Sequence, residues 1–266
     1  MNSFHFDWRG VLTGAPADWL VAGLANTIFI TVAGTVAASV VAILLLLGRT
    51  SDSRYFKCLA QAVIMAFRNT PLLVQLFFWY FAAYPALPEF FRDWVVADHW
   101  FSPSPSGFRC LSPEFVCAWL GLSCFTGAFL AEELRAGLQA VPAGQNEAAL
   151  AQGFSRWKSF RYILLPQAMR NAWQPIVGQY LNLMKLSSLA SGIGFAEIIY
   201  STREIESFNA HAIEAYAIGT LLYLILGVLM GQLFLYFGSS QKKRNAVSRT
   251  SPGNWRSWLR RLSFLS

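Results

Sequence analysis

Two cations inside long apolar segments are the residues of this sequence best placed to do chemistry. Lys185 lies about fourteen residues into an apolar run, and Ser187 and Ser188 follow it directly. An ammonium group at that depth attracts a carboxylate, either on a bound solute or on a neighbouring helix. Two interpretations of Lys185 follow: it lines a pathway together with the two serines, or it forms a structural ion pair.

The second cation, Arg68, begins the sequence Arg-Asn-Thr-Pro that interrupts another apolar run. Pro71 removes a helical donor and disfavours helix at Thr70, so backbone groups freed beside Asn69 need protein or water as partners. An unpaired Arg in lipid costs at least about 2.5 kcal/mol, which places Arg68 against protein, water or headgroups. These four residues are candidates for a pathway or gate. Alternatively, residues 58–68 lie along the membrane and the span begins near Thr70.

No arrangement typical of catalysis or of a metal centre stands out at the same depth. Cys110, Cys117 and Cys124 recur every seven residues, but no set of His and carboxylate partners with metal-ligand spacing is visible, and small buried hydrophobes are their expected role. The three histidines are isolated, and no phosphate-binding loop of the form G-x-x-x-x-G-K-S/T is present. The sequence therefore predicts no metal site, no catalytic residues and no ATP bound by this chain.

The elements that position the two cations are predicted to be membrane helices. Of the 266 residues, 55% are hydrophobic and only 13% are charged, about half the charged share of a soluble domain. The net charge of +7 could suggest a nucleic acid partner, but the apolar runs favour positive loops that face a cytoplasm. The predicted fold class is all-α and integral to a membrane, with about five transmembrane helices. The candidate spans are 19–48, 58–84, 113–137, 172–200 and 212–238.

Basic residues orient these spans. Three lie between the first two spans, five from Arg135 at the end of the third span to the start of the fourth, and seven after the last, whereas only four lie on the opposite side. The positive-inside rule then predicts an external N-terminus and a cytoplasmic C-terminus. The expected divisions are an external segment 1–18, a membrane domain 19–238 and a basic tail 239–266. No signal peptide is visible, so the first apolar span is expected to stay as an anchor. The tail is either an amphipathic helix on an anionic inner leaflet or disordered.

The inner segment 138–170 is too polar to span and is predicted to form two short helices. The first covers 145–152 and is ended by Gly153 at positive φ; the second covers 156–165, with Ser155 as its N-cap and Pro166 as its stop. Small alanines let another surface approach closely, so this segment is either a docking helix or an ordinary connecting loop with helical content. Two carboxylates outside this segment also have predicted roles. Glu132 and Arg135 form a local i, i+3 ion pair, and Glu197 anchors the outer end of the fourth span.

Five motifs resemble one family. EAALAQG (Glu147 to Gly153) followed by ILLP (Ile163 to Pro166) resembles the EAA motif of permease subunits in bacterial ABC importers. Four further stretches resemble its polar amino acid branch, and together the similarity covers about residues 17–238. These stretches are FRNTPLLVQLFFWYF, AEELRAGLQAVPAGQ, LLPQAMR and KLSSLASGIGFAEI. The SSLASGIG form, the stretch 201–216 and the long outer loop are most similar to permeases of the glutamate/aspartate type.

The resemblance implies a non-catalytic permease subunit in the bacterial inner membrane that forms the pathway for a polar, and by the finer similarity acidic, amino acid. The implied partners are a dimer of ABC ATPase subunits that carries ATP and Mg²⁺, a second permease chain, the same or related, a periplasmic substrate-binding protein and membrane lipid. The ATPase-coupling residues carried over from the motif are Gln145, Glu147, Ala148, Ala149, Gly153 and Pro166.

Two departures from the pattern bear on function. Leu186-Ser187-Ser188 stands where the branch usually has Asp-Thr-Ser, which bears on substrate identity, and Gln152 replaces a usual Leu. A stand-alone secondary transporter or channel is the alternative function. It accounts for the spans and Lys185, but not for the Ala-rich loop that ends in ILLP, and it favours an internal repeat, which is not visible.

Overall fold

The structure is a computed structural model that describes residues 6–97 and 111–249, with side chains up to Tyr236. Every regular element within these ranges is helical, so the predicted all-α class is confirmed. His5, His99, Cys110 and the part of the tail after residue 249 lie outside the described residues.

The helices follow one another with short connections. In chain order they are α1 (Arg9–Leu12), α2 (Ala15–Thr50), α3 (Arg54–Asn69), α4 (Leu72–Phe77), α5 (Glu89–Val96), α6 (Pro113–Gln139), α7 (Ala143–Ala151), α8 (Arg156–Ser159), α9 (Leu165–Leu186), α10 (Ile198–Asn209) and α11 (Ala212–Arg249). Two π-helical segments, Phe78–Ala83 and Phe160–Leu164, and a 3-10 segment, Ser187–Ile193, continue α4, α8 and α9.

Three described helices are long and apolar enough to cross a membrane: α2, α6 and the part of α11 up to Tyr236. They correspond to the first, third and fifth predicted spans. The second predicted span, 58–84, is not one straight helix, because Arg54–Asn69 and Leu72–Ala83 meet at an angle of 107° and qualify only as a bent pair. The bend follows from Pro71, since Thr70 before it takes the extended conformation (φ −111°, ψ 140°).

The fourth predicted span, 172–200, is not one continuous helix. The α-helix ends at Leu186, a 3-10 segment follows, Gly194 takes a left-handed φ of 87°, and α10 begins only at Ile198. Serine hydroxyls that bond to carbonyls three residues earlier tighten this stretch. They belong to Ser187, Ser188 and Ser191. A total of five spans therefore stays a prediction that requires two interrupted spans, the bent pair Arg54–Asn69 with Leu72–Ala83 and the segment 172–200.

The core is built around the pair α2 and α6. One apolar cluster joins these helices to α4 and the 3-10 segment, and a second joins them to α3 and α9. The helices approach closely at Gly127, where an added Cβ would lie 3.0 Å from the carbonyl oxygen of Ala38. Small residues at such contacts are typical of membrane helix packing.

The inner segment folds largely as predicted. The helix α7 ends before Gly153, whose φ is 84° and whose N–H donates to the carbonyl of Leu150, and the hydroxyl of Ser155 accepts from the N–H of Lys158. The predicted stop at Pro166 is wrong, because residues 156–186 form one continuous helical run. A π turn precedes the proline, and its wider register spares the ring a clash with the preceding turn.

Candidate functional sites

The two interrupted helices lie side by side in the structure. The start of α4 packs against the 3-10 segment, where a Cβ on Gly192 would lie 3.1 Å from Leu73 Cδ1. Leu76 and Ile193 belong to the same core cluster. The structure therefore brings together the breaks that carry the two predicted groups, Arg68 to Pro71 and Lys185 to Ser188. Because a discontinuous membrane helix leaves polar backbone groups at mid-depth, this is the candidate pathway site.

The three predicted residues after the break of α9 differ in accessibility. Lys185 is exposed, and no carboxylate of the described residues lies within ion-pair distance of it. Ser188 is half-buried and donates to the carbonyl of Lys185 at 2.8 Å. Ser187 is fully buried, with its hydroxyl 2.7 Å from the carbonyl oxygen of Met184. Only Lys185 of these three side chains is freely available to a solute.

A buried carboxylate holds the far end of this break. Glu197 is fully buried and accepts from the N–H groups of Ile199 and Tyr200, each at 2.9 Å, so it caps the N-terminus of α10. The hydroxyl of Tyr223 on α11 donates to the same carboxylate at 2.6 Å. The sequence analysis placed Glu197 at the outer end of a span, whereas it caps the helix that restarts after the interruption.

Two polar side chains of α2 form hydrogen bonds to the same break from another side. The amide of Asn26 donates to the carbonyl of Ala196 at 2.7 Å, and the N–H of Ile198 donates to the hydroxyl of Thr27 at 3.3 Å. The sequence analysis missed Asn26, Thr27 and Tyr223. The signal available was the presence of polar side chains inside an apolar run, which must find partners in protein.

The break between α3 and α4 has its own internal partner. The amide nitrogen of Gln75 lies 2.9 Å from the carbonyl oxygen of Phe67 and 2.7 Å from the hydroxyl of Thr70. It therefore satisfies groups that Pro71 leaves without helical donors. An apolar cavity of about 320 Å³ adjoins this turn and includes Ala66 in its wall. Gln75 was not predicted, although it is a polar residue within an apolar run.

Arg68 faces an ionic cluster rather than lipid alone. The carboxylate of Glu132 contacts the guanidinium of Arg49 from α2, that of Arg135 at 2.8 Å and that of Arg68 at 3.8 Å. Arg68 also lies over the ring of Phe129, 5.0 Å from its centroid. The predicted pair of Glu132 with Arg135 is confirmed, but three arginines share this carboxylate. Of the three surroundings expected for Arg68, which are protein, water and headgroups, the structure shows contacts with protein.

The predicted coupling residues differ in their exposure to solvent. Gln145, Glu147, Ala148 and Gly153 are exposed, whereas Ala149 is buried and therefore packs inward instead of offering a docking surface. Pro166 is half-buried within the continuous helical run.

A side-chain hydrogen bond connects the two short helices of this loop. The hydroxyl of Ser159 donates to the amide oxygen of Asn146 at 2.8 Å, which ties α8 to α7. Exposed Leu150, Trp157 and Tyr162 add apolar surface that was not predicted.

No cluster of three or more His, Cys, Asp or Glu side chains suited to a metal occurs in residues 6–97 and 111–249. Cys117 is buried, Cys124 is half-buried and Cys58 is exposed.

Comparison with known proteins gives consistent relatives. Residues 34–243 match the family described as binding-protein-dependent transport system inner membrane component. The glutamate/aspartate import permease protein GltJ of Escherichia coli K12 is 31% identical over 237 residues, which cover 86% of this chain and 92% of that protein. The glutamine transport system permease protein GlnP of the same organism is 30% identical, with coverages of 85% and 93%.

A solved structure shares the fold. A crystal structure of an amino acid ABC transporter with histidines superposes with a TM-score of 0.73 and 25% identity, covering 89% of this chain and all of that chain. The permeases among these relatives are non-catalytic subunits of the bacterial inner membrane, and the ATPase of these transporters is a separate subunit. This chain therefore belongs to the family of inner membrane components of binding-protein-dependent transport systems, as an ABC importer permease.

Proposed function

We propose that this chain forms the translocation pathway for a polar amino acid in an ATP-driven importer, and that the substrate is acidic. The observation that carries this proposal is the exposed ammonium group of Lys185, beside two adjoining helix breaks. A cation at such a site attracts a carboxylate, and freed backbone groups can bind the rest of an amino acid. Similarity to GltJ, GlnP and an amino acid transporter supports the substrate class.

The loop around α7 is the proposed contact with the ATPase. Glu147 and Ala148 are exposed on a short helix, Gly153 turns the chain at positive φ, and the bond between Ser159 and Asn146 makes the loop rigid. A rigid exposed helix transmits a displacement into the helices that follow it. ATP and Mg²⁺ bind to the partner, and closure of an ATPase dimer would move α7 and, through the continuous run 156–186, the break beside Lys185.

The remaining partners and the orientation belong to the same proposal. One chain with so few spans does not enclose a pathway, so a second permease, identical or related, is expected. A periplasmic substrate-binding protein delivers the solute to this pair. The N-terminus faces the periplasm and α11 ends in the cytoplasm, because basic residues concentrate on the loops of that side. The six coupling residues and the Arg68 to Pro71 segment keep their proposed roles, with Ala149 and Pro166 as supports.

The first test is a mild-detergent pull-down of the tagged chain from native membranes, followed by mass spectrometry. We expect a stoichiometric ATPase subunit that is lost in Glu147→Lys. The control is Glu204→Lys, the same charge reversal at an exposed carboxylate on α10. A chain that purifies without any nucleotide-binding partner would instead support a stand-alone secondary transporter.

The substrate is tested by uptake into proteoliposomes that contain the full complex and its binding protein. We expect ATP-dependent uptake of glutamate and aspartate, reduced by Lys185→Gln and restored in part by Lys185→Arg, which keeps the charge. Uptake confined to glutamine or to basic amino acids would contradict the acidic substrate. Uptake that does not require the ATPase would contradict the importer as a whole.

A further inference from the structure

One side of α9 is polar along the whole stretch between the inner loop and the break after Leu186. Successive residues of an α-helix point about 100° apart, so the side chains of residues 170–185 can be placed around the helix axis. A sector about 120° wide contains polar side chains, one glycine and a single apolar residue, the half-buried Leu181. The other members of this sector, here named the polar face, are Arg170, Asn171, Gln174, Gly178, Asn182 and Lys185.

The polar face is the side of α9 that the described chain leaves largely uncovered. Arg170, Gln174 and Lys185 are exposed. A Cβ added at Gly178 would meet no atom within 4 Å, so the middle of the face is a notch without a side chain. The opposite side of α9 carries Ile176, which is buried in the apolar cluster shared with α2, α3 and α6. The apolar side of α9 thus packs inside the bundle, and its polar side faces outward from this chain.

Lipid is an unsuitable cover for the polar face. Amide and ammonium groups in hydrocarbon lose the hydrogen bonds that water gives them, and a charged side chain there is costly. The helix α9 contains no acidic residue. No Asp or Glu of the described residues lies within ion-pair distance of Arg170 or Lys185. The two cations therefore require a polar environment that the described part of the chain does not supply.

A closely packed helix of an identical permease is also an unsuitable cover. Identical subunits pair by two-fold symmetry, which would place the same face of each copy against the other. Lys185 and Arg170 would then each approach their own counterparts away from water, where like charges repel strongly. Water and a polar solute have neither disadvantage, because both supply hydrogen-bond partners to amides and cations.

The length of the polar face corresponds to one leaflet of a membrane. At a rise of 1.5 Å per residue, Arg170 and Lys185 lie about 22 Å apart along the helix axis. Half the hydrocarbon thickness of a bilayer is about 15 Å. The polar face is therefore long enough to connect the candidate pathway site beside the break with the inner membrane surface near the loop around α7.

We propose that the polar face of α9 lines the inner half of the translocation route, and that the amino acid passes along it through water from Lys185 to the cytoplasm. This inference rests on the proposed function and on the orientation proposed with it. The amides of Asn182 and Gln174 can donate to a carboxylate and accept from an ammonium group, so they suit both charged groups of an amino acid. A neutral amide binds such groups less tightly than an ion pair does, which lets the solute move on.

Water at the polar face is tested by the reaction of single cysteines with a membrane-impermeant thiol reagent. The reagent is added to the cytoplasmic side of inverted vesicles that contain the assembled importer, in a Cys58→Ala background. We expect Asn182→Cys and Gln174→Cys to react at least about tenfold faster than Val36→Cys, because the reactive thiolate forms in water and not in hydrocarbon.

Val36 on α2 is a control matched in exposure and depth. It is 62% exposed. It lies about 3 Å along the helix from Gly34, where an added Cβ would be 3.4 Å from Leu183, the neighbour of Asn182. Reaction at Asn182→Cys and Gln174→Cys no faster than at Val36→Cys, both without nucleotide and with ATP trapped, would overturn the proposal. That result is expected if a second permease seals the polar face.

A second test fills the notch at Gly178. We expect Gly178→Leu to lower ATP-dependent uptake at least about tenfold, because the new side chain enters the route. The control is Gly231→Leu on α11, the same change at a glycine where an added Cβ also meets no atom within 4 Å, and it should retain uptake. The melting temperature and the ATP hydrolysis of both complexes are measured alongside and should match those of wild type. Equal uptake by the two variants would overturn the proposal.

These outcomes distinguish failure of this inference from failure of the proposed function. ATP-dependent amino acid uptake by an importer in which Asn182→Cys and Gln174→Cys are unreactive would contradict the polar face alone. Reactive cysteines in a complex that takes up no amino acid would contradict the proposed substrate, while the polar face would still border water.

Discussion

At the scale of single residues, Glu132 connects more helices than its neighbours in sequence do. Its carboxylate lies between guanidinium groups of α2, α3 and α6, and its side chain is 18% exposed. Three cations around one anion repel one another when the anion is removed. Glu133, the next residue, forms only one bond that the structure shows, with the amide of Gln179 at 3.2 Å. The two adjacent carboxylates thus provide a matched comparison.

We predict that Glu132→Gln destabilises the protein by about 1.5–3 kcal/mol, because charged hydrogen bonds are lost and the arginines are left without a counter-ion. The measurement is the melting temperature of the detergent-solubilised permease. Glu133→Gln should lower it much less, since a Gln side chain can still bond to Gln179. Equal losses in the two variants would mean that the ionic cluster contributes little.

Gly153 is a second position where one residue type decides the geometry. A φ of 84° is strained for any β-branched side chain, while an added Cβ would meet no other atom within 4 Å. The effect of substitution is therefore conformational and not a matter of space.

We predict that Gly153→Val reduces uptake at least about tenfold, because backbone strain of about 1–3 kcal/mol distorts the end of α7. Gly153→Asn should retain most uptake, since Asn adopts the left-handed region more readily. Membrane insertion of each variant is checked by its yield in washed membranes. Normal uptake in the valine variant would contradict the conformational role proposed for this glycine.

At the scale of elements, the contact of α6 with α9 joins the core to the inner loop. An added Cβ on Gly137 would lie 2.6 Å from the carbonyl oxygen of Ala168 and 2.8 Å from Cβ of Ala172. These atoms belong to backbone and to a short side chain, so the helices must separate to accept it. Gly178 on the same α9 has no neighbour within 4 Å of such a Cβ.

We predict opposite outcomes for the same substitution at these two glycines. Gly137→Ala should lower the melting temperature, because the clash outweighs the gain in helix propensity of about 1 kcal/mol. Gly178→Ala should leave it unchanged or raise it. A stabilised Gly137→Ala variant would show that α6 and α9 are less closely packed than the structure shows.

At the scale of the whole molecule, the two interrupted helices pack against each other, and the three long helices α2, α6 and α11 contact them. The break after α9 is held by Asn26 and Thr27 on α2 and by Tyr223 on α11, and α4 packs against its other side. Hydrogen bonds thus hold one side of the break in place, while Lys185 stays exposed. Such an asymmetric site can keep its shape while a neighbouring subunit or a solute contacts the exposed side.

We predict that Lys185→Cys reacts with a water-soluble thiol reagent and that Ser187→Cys does not, because the first position is exposed and the second is fully buried. The reaction is measured in the assembled importer, in a background that carries Cys58→Ala to remove an exposed native thiol. Protection of Lys185→Cys by substrate would locate the pathway at this break. Faster reaction at position 187 than at 185 would contradict the described burial.

The sequence by itself determined what local and compositional physics controls. Apolar length established the all-α membrane class and the helices that correspond to α2, α6 and α11, since a span needs about 20 apolar residues whatever its neighbours are. Short-range chemistry likewise predicted the turn at Gly153, the cap at Ser155 and the interruption at Pro71. The order of the five motifs was sufficient to indicate the family before any helix was located.

Only the tertiary structure decided which of these features act together. Ser187 and Lys185 are two residues apart, yet one is buried and the other exposed, because packing against other helices selects the side that is covered. The partners of Glu132 and Glu197 lie on helices distant in sequence, which a local pattern cannot specify. The predicted stop at Pro166 was wrong because a π turn carries the helix past the proline. The geometry of the break within 172–200 depends on partners from α2 and α11, which lie far away in the sequence.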